Sequence, residues 1–206
     1  KEFHKGRMQI LSELTKLRQL CCDPALVYEN YEGGSAKLDL CIELIQSAVE
    51  SGHKILLFSQ FTSMIEILTA RLQEESISYF VLQGSTKKEQ RAQMVEQFNR
   101  DDTSVFCISL KAGGTGLNLT GADIVIHYDP WWNVAVENQA TDRAHRIGQK
   151  NVVTVYKLIA KGTIEEKIIK LQQMKKELAE EILSGDEIKT ASFQREELLE
   201  LLEERF

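Results

Sequence analysis

The chain has 206 residues, of which 43% are hydrophobic and 27% are charged, and its formal net charge is −6 at pH 7. A chain of this length and composition can bury the core of one or two compact units, which excludes a disordered tail. The negative balance excludes a protein that binds nucleic acid through overall attraction, so any DNA contact is expected to be a local patch.

Membrane, targeting and metal sites are not predicted. No apolar run approaches the roughly 18 residues of a membrane-spanning helix, and residues 1–10 lack the apolar centre of a signal peptide, so we expect a soluble intracellular protein without a membrane partner. The first residue is Lys and the chain opens inside a helical pattern, which predicts a piece of a longer polypeptide. The four cysteines form no C-x-x-C pair, so we expect reduced, buried thiols and no metal site.

The amino-terminal region is predicted to form two helices. Apolar residues recur at helical spacing over residues 8–21, and Asp23-Pro24 ends this helix because proline cannot continue the hydrogen-bond ladder. A loop follows, and Ser35 then caps a second helix, which Gly52 closes.

Strand and helix patterns alternate in the middle of the chain. Ser63-x-x-Glu66 and Thr86-x-x-Glu89 each have the spacing of a capping box that opens a helix. No hairpin-turn dipeptides separate the strands, which favours a parallel sheet with helices on both faces. The sequence therefore predicts an α/β fold of the RecA-like or Rossmann-like kind. The predicted strands are Ile55–Phe58, Ile77–Leu82, Val105–Ser109, Ile124–Tyr128 and Val152–Ile159.

Charged helical patterns follow Gly162. Thr163-x-x-Glu166 is a third capping box before a long amphipathic helix, Ser184–Ser192 has the composition of a linker, and Phe193–Phe206 is predicted to be a final helix. We divide the chain into a leading helix and loop (1–34), a RecA-like lobe (35–162) and a C-terminal helical extension (163–206).

The first of three segments with candidate chemistry is Lys111–Leu119, which directly follows a strand. Ligands of parallel α/β sheets bind beyond the carboxyl ends of the strands, and glycine N–H groups can line an anion site there; a plain tight turn is the alternative. The segment is not a Walker A loop, because Leu117 and Asn118 follow where Lys and Ser or Thr are required. The ligands for the terminal phosphates and for magnesium are therefore expected elsewhere.

The second segment, Gln139–Gln149, is expected to lie in a helix that begins near Asn133. Arg143 and Arg146 are three residues apart, so both guanidinium groups can leave the same helix face toward one target. A solvated basic face is the alternative.

The third segment, Gln83–Thr86, precedes Lys87, Lys88 and Arg91 at the start of a helix. Its backbone N–H groups and hydroxyls, together with the positive end of the helix, are suited to a phosphate of the DNA backbone. A routine helix cap is compatible with the same pattern.

These segments occur in the order, and with the flanks, of the Swi/Snf-type branch of superfamily-two helicase motors, which the chain resembles. The resemblance extends over most of the chain and is carried by several separate motifs. They are Leu17–Pro24, Lys54–Phe61, Leu82–Thr86, Ser109–Leu119, Asp129–Asn133, Gln139–Gln149 and Gly162–Lys167.

The resemblance implies a nucleotide site shared by two RecA-like lobes, with ATP between them. The Walker motifs, and with them Mg²⁺, belong to the first lobe, and the second lobe supplies arginine fingers. Arg143 and Arg146 would be those fingers, and Gln139 would help to position them. The implied nucleotide contacts are Gly114, Thr115, Gly116 and Asp142.

The resemblance also implies a DNA-tracking surface on the same lobe. Trp131 and Trp132 are expected to brace their loop, because adjacent aromatic residues after a strand are usually core residues. The implied DNA contacts are Ser59, Gln60, Gln83, Gly84, Ser85, Thr86, Lys87 and Lys111.

The leading hypothesis is the C-terminal half of an ATP-dependent double-stranded-DNA translocase or remodeller, an enzyme at full length and inactive as this chain alone. Its expected partners are double-stranded DNA and the N-terminal RecA-like lobe, and a nucleoprotein substrate is left open. The expected location is the bacterial cytoplasm and nucleoid, with the nucleus as the alternative. Two other hypotheses are a non-catalytic DNA- or protein-binding module with this fold, and a sugar transferase, which leaves Arg143 and Arg146 without a role.

Overall fold

The computed structural model describes the backbone of residues 2–110 and 117–184 and the side chains of residues 9–110 and 117–176. Strands and helices alternate within these residues as the sequence predicts. The helices are α1 (Glu2–Cys22), α2 (Ala36–Glu50), α3 (Thr62–Glu74), α4 (Lys88–Arg100), α5 (Val134–Thr141) and α6 (Ile164–Ser184), with a 3-10 helix at Pro24–Leu26. The strands are β1 (Ile55–Ser59), β2 (Tyr79–Leu82), β3 (Val105–Ser109), β4 (Ile124–His127) and β5 (Thr154–Lys157).

The strands form one parallel sheet in the order β2-β3-β1-β4-β5. Strand β1 is central, because Ile55 pairs with Val105 of β3 on one side and with Ile124 of β4 on the other. Parallel strands place their carboxyl ends at the same edge of the sheet. The segments that follow β1, β2, β3 and β4 therefore start from one edge, where ligands of such sheets bind.

Each face of the sheet has its own hydrophobic core, because successive strand residues point to opposite sides. On one face Leu57 and Ile126 pack with α2 and α3. On the other face Phe58 and Phe106 pack with residues of α4 and α5. Helices therefore cover both faces, which confirms the predicted RecA-like architecture.

Helix α1 packs against α6, so the first and last described helices lie side by side. Leu14 of α1 is 2% exposed and forms a small core with Ile164 and Ile168 of α6. Asp23 ends α1 as predicted, and its Oδ1 accepts a hydrogen bond from the Ala25 N–H at 2.8 Å at the start of the 3-10 helix. The division at residues 34 and 162 stays a prediction.

Two of the three predicted capping boxes are wrong. Helix α3 begins directly after Phe61, so Ser63 lies inside its first turn rather than at its cap. The Thr86 hydroxyl accepts a hydrogen bond from the Gln83 N–H at 3.0 Å, and the cap position of α4 is Lys87, which makes no side-chain capping bond. In each case the helix begins at a residue other than the one that the capping-box spacing predicts.

The third capping box is close to its prediction. The Thr163 hydroxyl accepts from the Glu165 N–H at 3.2 Å, and the Glu166 carboxylate accepts from the Gly162 N–H at 3.0 Å. The predicted final helix, at residues 193–206, lies outside the described residues. None of the described helices is both long enough and apolar enough to span a bilayer.

Candidate functional site

The predicted site residues that follow β3 are not described. Lys111, Gly114, Thr115 and Gly116 lie in the gap between residues 110 and 117. The candidate site is therefore built from the segments after β1, β2 and β4 and from the arginine segment, residues 139–149.

The segment after β2 is a tight turn with an exposed outer surface. The Thr86 N–H donates to the Gln83 carbonyl at 3.0 Å, and Gly84, Ser85 and Lys87 are exposed. Arg91 of α4 lies behind the turn and donates from Nε to the Thr86 carbonyl at 2.8 Å. Arg91 Nη2 donates to the carbonyls of Gly84 and Gln83 at 3.2 and 3.3 Å. Arg91 thus braces the turn.

The two predicted DNA contacts after β1 lie inside the protein. Ser59 is 0% exposed and Gln60 is 7% exposed. The Ser59 hydroxyl donates to Asp129 Oδ1 at 2.6 Å, and the Gln60 N–H donates to the same carboxylate at 3.3 Å. Both side chains are covered by the loop after β4, and their contact with DNA stays a prediction.

Arg18 of α1 holds this loop and is a site residue that the sequence did not reveal. Its guanidinium donates to the Pro130 carbonyl at 2.8 Å. It also lies 5.7, 5.5 and 5.3 Å from the ring centroids of Phe61, Trp131 and Trp132, within the range of cation–π attraction. The prediction that the two tryptophans brace their loop is confirmed. Burial lowers the pKa of Arg18, against the opposing effect of Asp129.

Asp129 is a buried carboxylate that lies between β1 and Arg18. Burial raises its pKa to about 6, and the hydrogen bond from Ser59 and the charge of Arg18 act in the opposite direction. The carboxylate accepts hydrogen bonds from the Ser59 hydroxyl and the Gln60 N–H, and it thereby joins the end of β1 to the segment after β4.

Glu137 of α5 joins three further elements. It is 1% exposed, and its carboxylate accepts hydrogen bonds from the Trp131 N–H at 2.7 Å, from Lys157 Nζ of β5 at 2.6 Å and from Gln172 Nε2 of α6 at 3.1 Å. Burial of a carboxylate costs desolvation free energy, and the hydrogen bonds from its three donors offset that cost. Glu137 thus fixes α5, which leads into the arginine segment.

The arginine segment is not a continuous helix. Helix α5 begins after Asn133, whose side chain accepts from the Ala135 N–H at 3.0 Å as expected for a cap, but it ends at Thr141. The prediction that Arg143 and Arg146 leave one helix face is therefore wrong, because both lie in the turns that follow α5. Arg143 is 4% exposed, whereas Arg146 is exposed.

The two arginines have different environments. The Arg143 guanidinium lies 5.5 Å from the ring centroid of Phe58, in the central strand. Burial lowers the pKa of Arg143 to about 10, and the neighbouring charge of Arg146 acts in the same direction. Arg146 Nε donates to the Asp142 carbonyl at 3.2 Å, which orients the exposed guanidinium. The side chains of Gln139 and Asp142 are exposed.

His127 and Thr141 complete the contacts around Phe58. The His127 ring stacks on Phe58 at 5.5 Å between centroids, and its Nε2 lies 3.0 Å from the Thr141 hydroxyl. Burial lowers the pKa of His127 to about 4, so the ring is neutral at physiological pH. The structure thus brings Arg143, α5 and the end of β1 together.

A comparison with protein families matches the helicase conserved C-terminal domain over residues 36–148. An uncharacterised ATP-dependent helicase of Mycoplasma pneumoniae is 45% identical over 203 residues, which are 97% of this chain but only 19% of that protein. The chain therefore spans about a fifth of the length of this curated relative.

Two solved structures from Sulfolobus solfataricus are also similar. The C-terminal domain of a SWI2/SNF2 ATPase is 34% identical, with a TM-score of 0.73 over 96% of this chain and 82% of that one. A SWI2/SNF2 ATPase core in complex with double-stranded DNA is 38% identical, with a TM-score of 0.72 over 88% of this chain and 39% of that one. The chain belongs to the helicase conserved C-terminal domain family, as a Swi2/Snf2-type second RecA-like lobe.

Proposed function

We propose that this chain is the second lobe of an ATP-driven translocase on double-stranded DNA and that it completes an ATP site with a first RecA-like lobe. We call the protein that contains both lobes the two-lobed protein. The observation that carries the proposal is the arginine segment, in which the exposed Arg146 guanidinium is oriented by Asp142 next to the buried Arg143. The relative named as an ATP-dependent helicase and the structural neighbour with DNA support it.

Arginine is suited to the role that the proposal assigns to Arg143 and Arg146. Its planar guanidinium is always charged and presents a fork of donors that matches phosphate oxygens. In phosphoryl transfer, such a group stabilises the charge that develops on the transferred phosphoryl oxygens. Arg146 is free to reach across an interface, and Gln139 and Asp142 lie exposed on the same segment. ATP supplies the phosphoryl group when bound, with its phosphate and Mg²⁺ ligands on the first lobe.

Double-stranded DNA is proposed to lie against the turn after β2. Gly84, Ser85 and Lys87 are exposed there, and the turn leads into the amino-terminal end of α4, where backbone N–H groups favour phosphate. Arg91 holds the turn in shape from behind. The proposed location of the protein is therefore that of its DNA, which is the bacterial nucleoid or, alternatively, the nucleus.

The DNA contact is tested by the salt dependence of binding. We expect weak binding of a short DNA duplex by this chain, because few basic side chains face the proposed surface, with an affinity that falls steeply as salt rises. Lys87→Ala is expected to reduce the slope of log K against log salt by about 1, since one phosphate contact is lost. Fluorescence anisotropy at a series of salt concentrations measures both quantities.

The matched control is Lys16→Ala, which removes an exposed lysine of α1 that pairs with Glu13 far from the turn in sequence. The slope is expected to stay unchanged in this variant. Binding that is tight and insensitive to salt, or an equal effect of both substitutions, would contradict the proposed DNA surface.

A further inference from the structure

Residues 117–123, the described part of the connection between β3 and β4, are held by a side chain from the end of α4, and we call this segment the crossover. Asn99 donates from Nδ2 to the Asn118 carbonyl at 2.8 Å, and its Oδ1 accepts from the Gly121 N–H at 2.9 Å. The two bonds use both ends of one amide, which determines its orientation. A Cβ added at Gly121 would lie 3.0 Å from Asn99 Cα and from its Oδ1, so a larger residue there would force α4 and the crossover apart by a few tenths of an ångström.

A second amide holds the other side of the crossover. Gln149 Nε2 donates to the Ala122 carbonyl at 2.7 Å and lies 3.2 Å from the carbonyls of Thr120 and Ala144. Its Oε1 accepts from the Asn151 N–H at 2.9 Å, which again determines the orientation of the amide. Ala144 lies between Arg143 and Arg146 in the chain, so Gln149 joins the crossover to the arginine segment.

The backbone adds a third link between the same two segments. The Leu119 N–H donates to the Arg143 carbonyl at 3.0 Å. Leu119 is fully buried. The position of Arg143 thus depends on the position of the crossover, which Asn99 and Gln149 clamp from two sides.

We propose that Asn99 and Gln149 are positioning residues, a pair of amides that fixes the crossover against the arginine segment and so sets where Arg143 and Arg146 point. The pair also connects these arginines to α4, whose first turn follows the proposed DNA-facing turn. This inference rests on the proposed function for its effect on catalysis. The clamp itself is a statement about the structure and has a separate readout.

Isosteric substitutions in the two-lobed protein test the pair. Asn99→Asp and Gln149→Glu keep the side-chain shape and remove the N–H donors, and both side chains are only partly buried, so little packing is lost. We expect the turnover number for ATP at saturating DNA to fall about 10- to 100-fold in each variant, since a displacement of about 1 Å in a catalytic group can cost about 100-fold. The KM for ATP is expected to stay within about twofold, because the loss is confined to the transition state.

Hydrogen exchange supplies the readout that does not depend on activity. In both variants the peptide that spans residues 117–123 is expected to exchange at least about tenfold faster than in the wild type, because the amide donors that hold this segment against α4 and the arginine segment are lost and the segment opens more often. The double variant is expected to lose less turnover than the product of the two single losses, since both amides hold the same segment. Glu96→Gln, at an exposed pair with Arg100 on α4, is the matched control and is expected to change neither readout.

Each outcome decides the inference. Unchanged exchange in both variants overturns the clamp, and faster exchange with wild-type turnover overturns its positioning role. A loss of turnover that follows a loss of folded protein, seen by circular dichroism, also overturns the positioning role. If the wild type shows no DNA-stimulated turnover, the proposed function fails, while the exchange rates still decide whether the clamp exists.

Discussion

Replacing Arg146 by alanine in the two-lobed protein is expected to lower DNA-stimulated ATP turnover by about 10³- to 10⁵-fold, which is the usual contribution of an arginine finger. The melting temperature is expected to stay unchanged, because the Arg146 side chain is exposed and an exposed charge contributes little to stability. Arg146→Lys is expected not to restore turnover, since a point charge cannot replace a planar fork of donors. Steady-state hydrolysis at saturating DNA, with a thermal melt of each variant, measures these effects.

Arg143→Ala is expected to lose turnover to a similar extent but with a measurable cost in stability. The Arg143 guanidinium is buried against Phe58, and loss of a desolvated cation–π contact costs about 2 kcal/mol. The sequence predicted that both guanidinium groups leave one helix face, and it did not indicate this difference in burial. Arg100→Ala, at an exposed ion pair on α4, is the matched control. Near-normal turnover in both Arg143→Ala and Arg146→Ala would show that neither is an arginine finger.

The largest effect on folding is expected for Glu137→Ala. Removal of this carboxylate leaves the Trp131 N–H without its acceptor and breaks the bonds from Lys157, whose side chain is 38% exposed, and from Gln172, which keeps the Trp131 carbonyl as an acceptor. Hydrogen bonds to a charged group contribute about 1.5–3 kcal/mol each, and less where one partner is exposed. Glu137→Gln is expected to be intermediate, because an amide oxygen still accepts from the Trp131 N–H. Denaturant unfolding measures the change in the free energy of unfolding.

Tryptophan fluorescence is a suitable probe for that experiment, because the chain has two tryptophans and both lie in the loop that Glu137 holds. The matched control is Glu96→Ala, which removes an exposed carboxylate paired with Arg100 and is expected to change the free energy of unfolding by less than about 1 kcal/mol. Equal effects of Glu137→Ala and Glu96→Ala would show that the buried network does not stabilise the fold.

The centre of the sheet was predictable because β1, β3 and β4 are buried along their whole length and therefore have the sequence of short apolar runs. All five predicted strands are present, and β1 and β3 nearly match their predicted bounds. The ends of β2 and β5 were predicted too long, at Ile77–Leu82 and Val152–Ile159. Most of the residues that flank these two strands are apolar, but they lie beyond the residues that pair with the neighbouring strand. The hydrophobic pattern of the sequence does not show where that pairing ends.

Helix starts were less predictable, since a capping box describes a spacing and several local turns compete for the same hydroxyl. Thr86 has the right spacing to cap α4, but its hydroxyl closes the turn at Gln83 instead. The prediction that Arg143 and Arg146 lie on one helix face was wrong for a related reason. Their spacing of three residues is common to a helix and to a run of turns, and nothing in the local sequence marks the end of α5 at Thr141.

The buried polar residues were missed because their partners are distant in the chain. Arg18 binds a carbonyl 112 residues away, and Lys37 pairs with Glu165 at 2.6 Å across 128 residues. One sign was available in the sequence. Arg18 follows Leu14 by four residues, so a charged side chain lies on the apolar face of α1, and such a residue needs a buried partner.

Steady-state ATP turnover at saturating double-stranded DNA tests the central proposal most directly, when this chain alone is compared with the two-lobed protein. We predict no DNA-stimulated turnover by the chain alone, because its sequence has no Walker A motif to hold the terminal phosphates. The two-lobed protein is predicted to hydrolyse ATP, and Arg146→Ala is predicted to abolish that activity. Robust turnover by the chain alone would contradict the proposal, because it would place a complete catalytic site within these 206 residues.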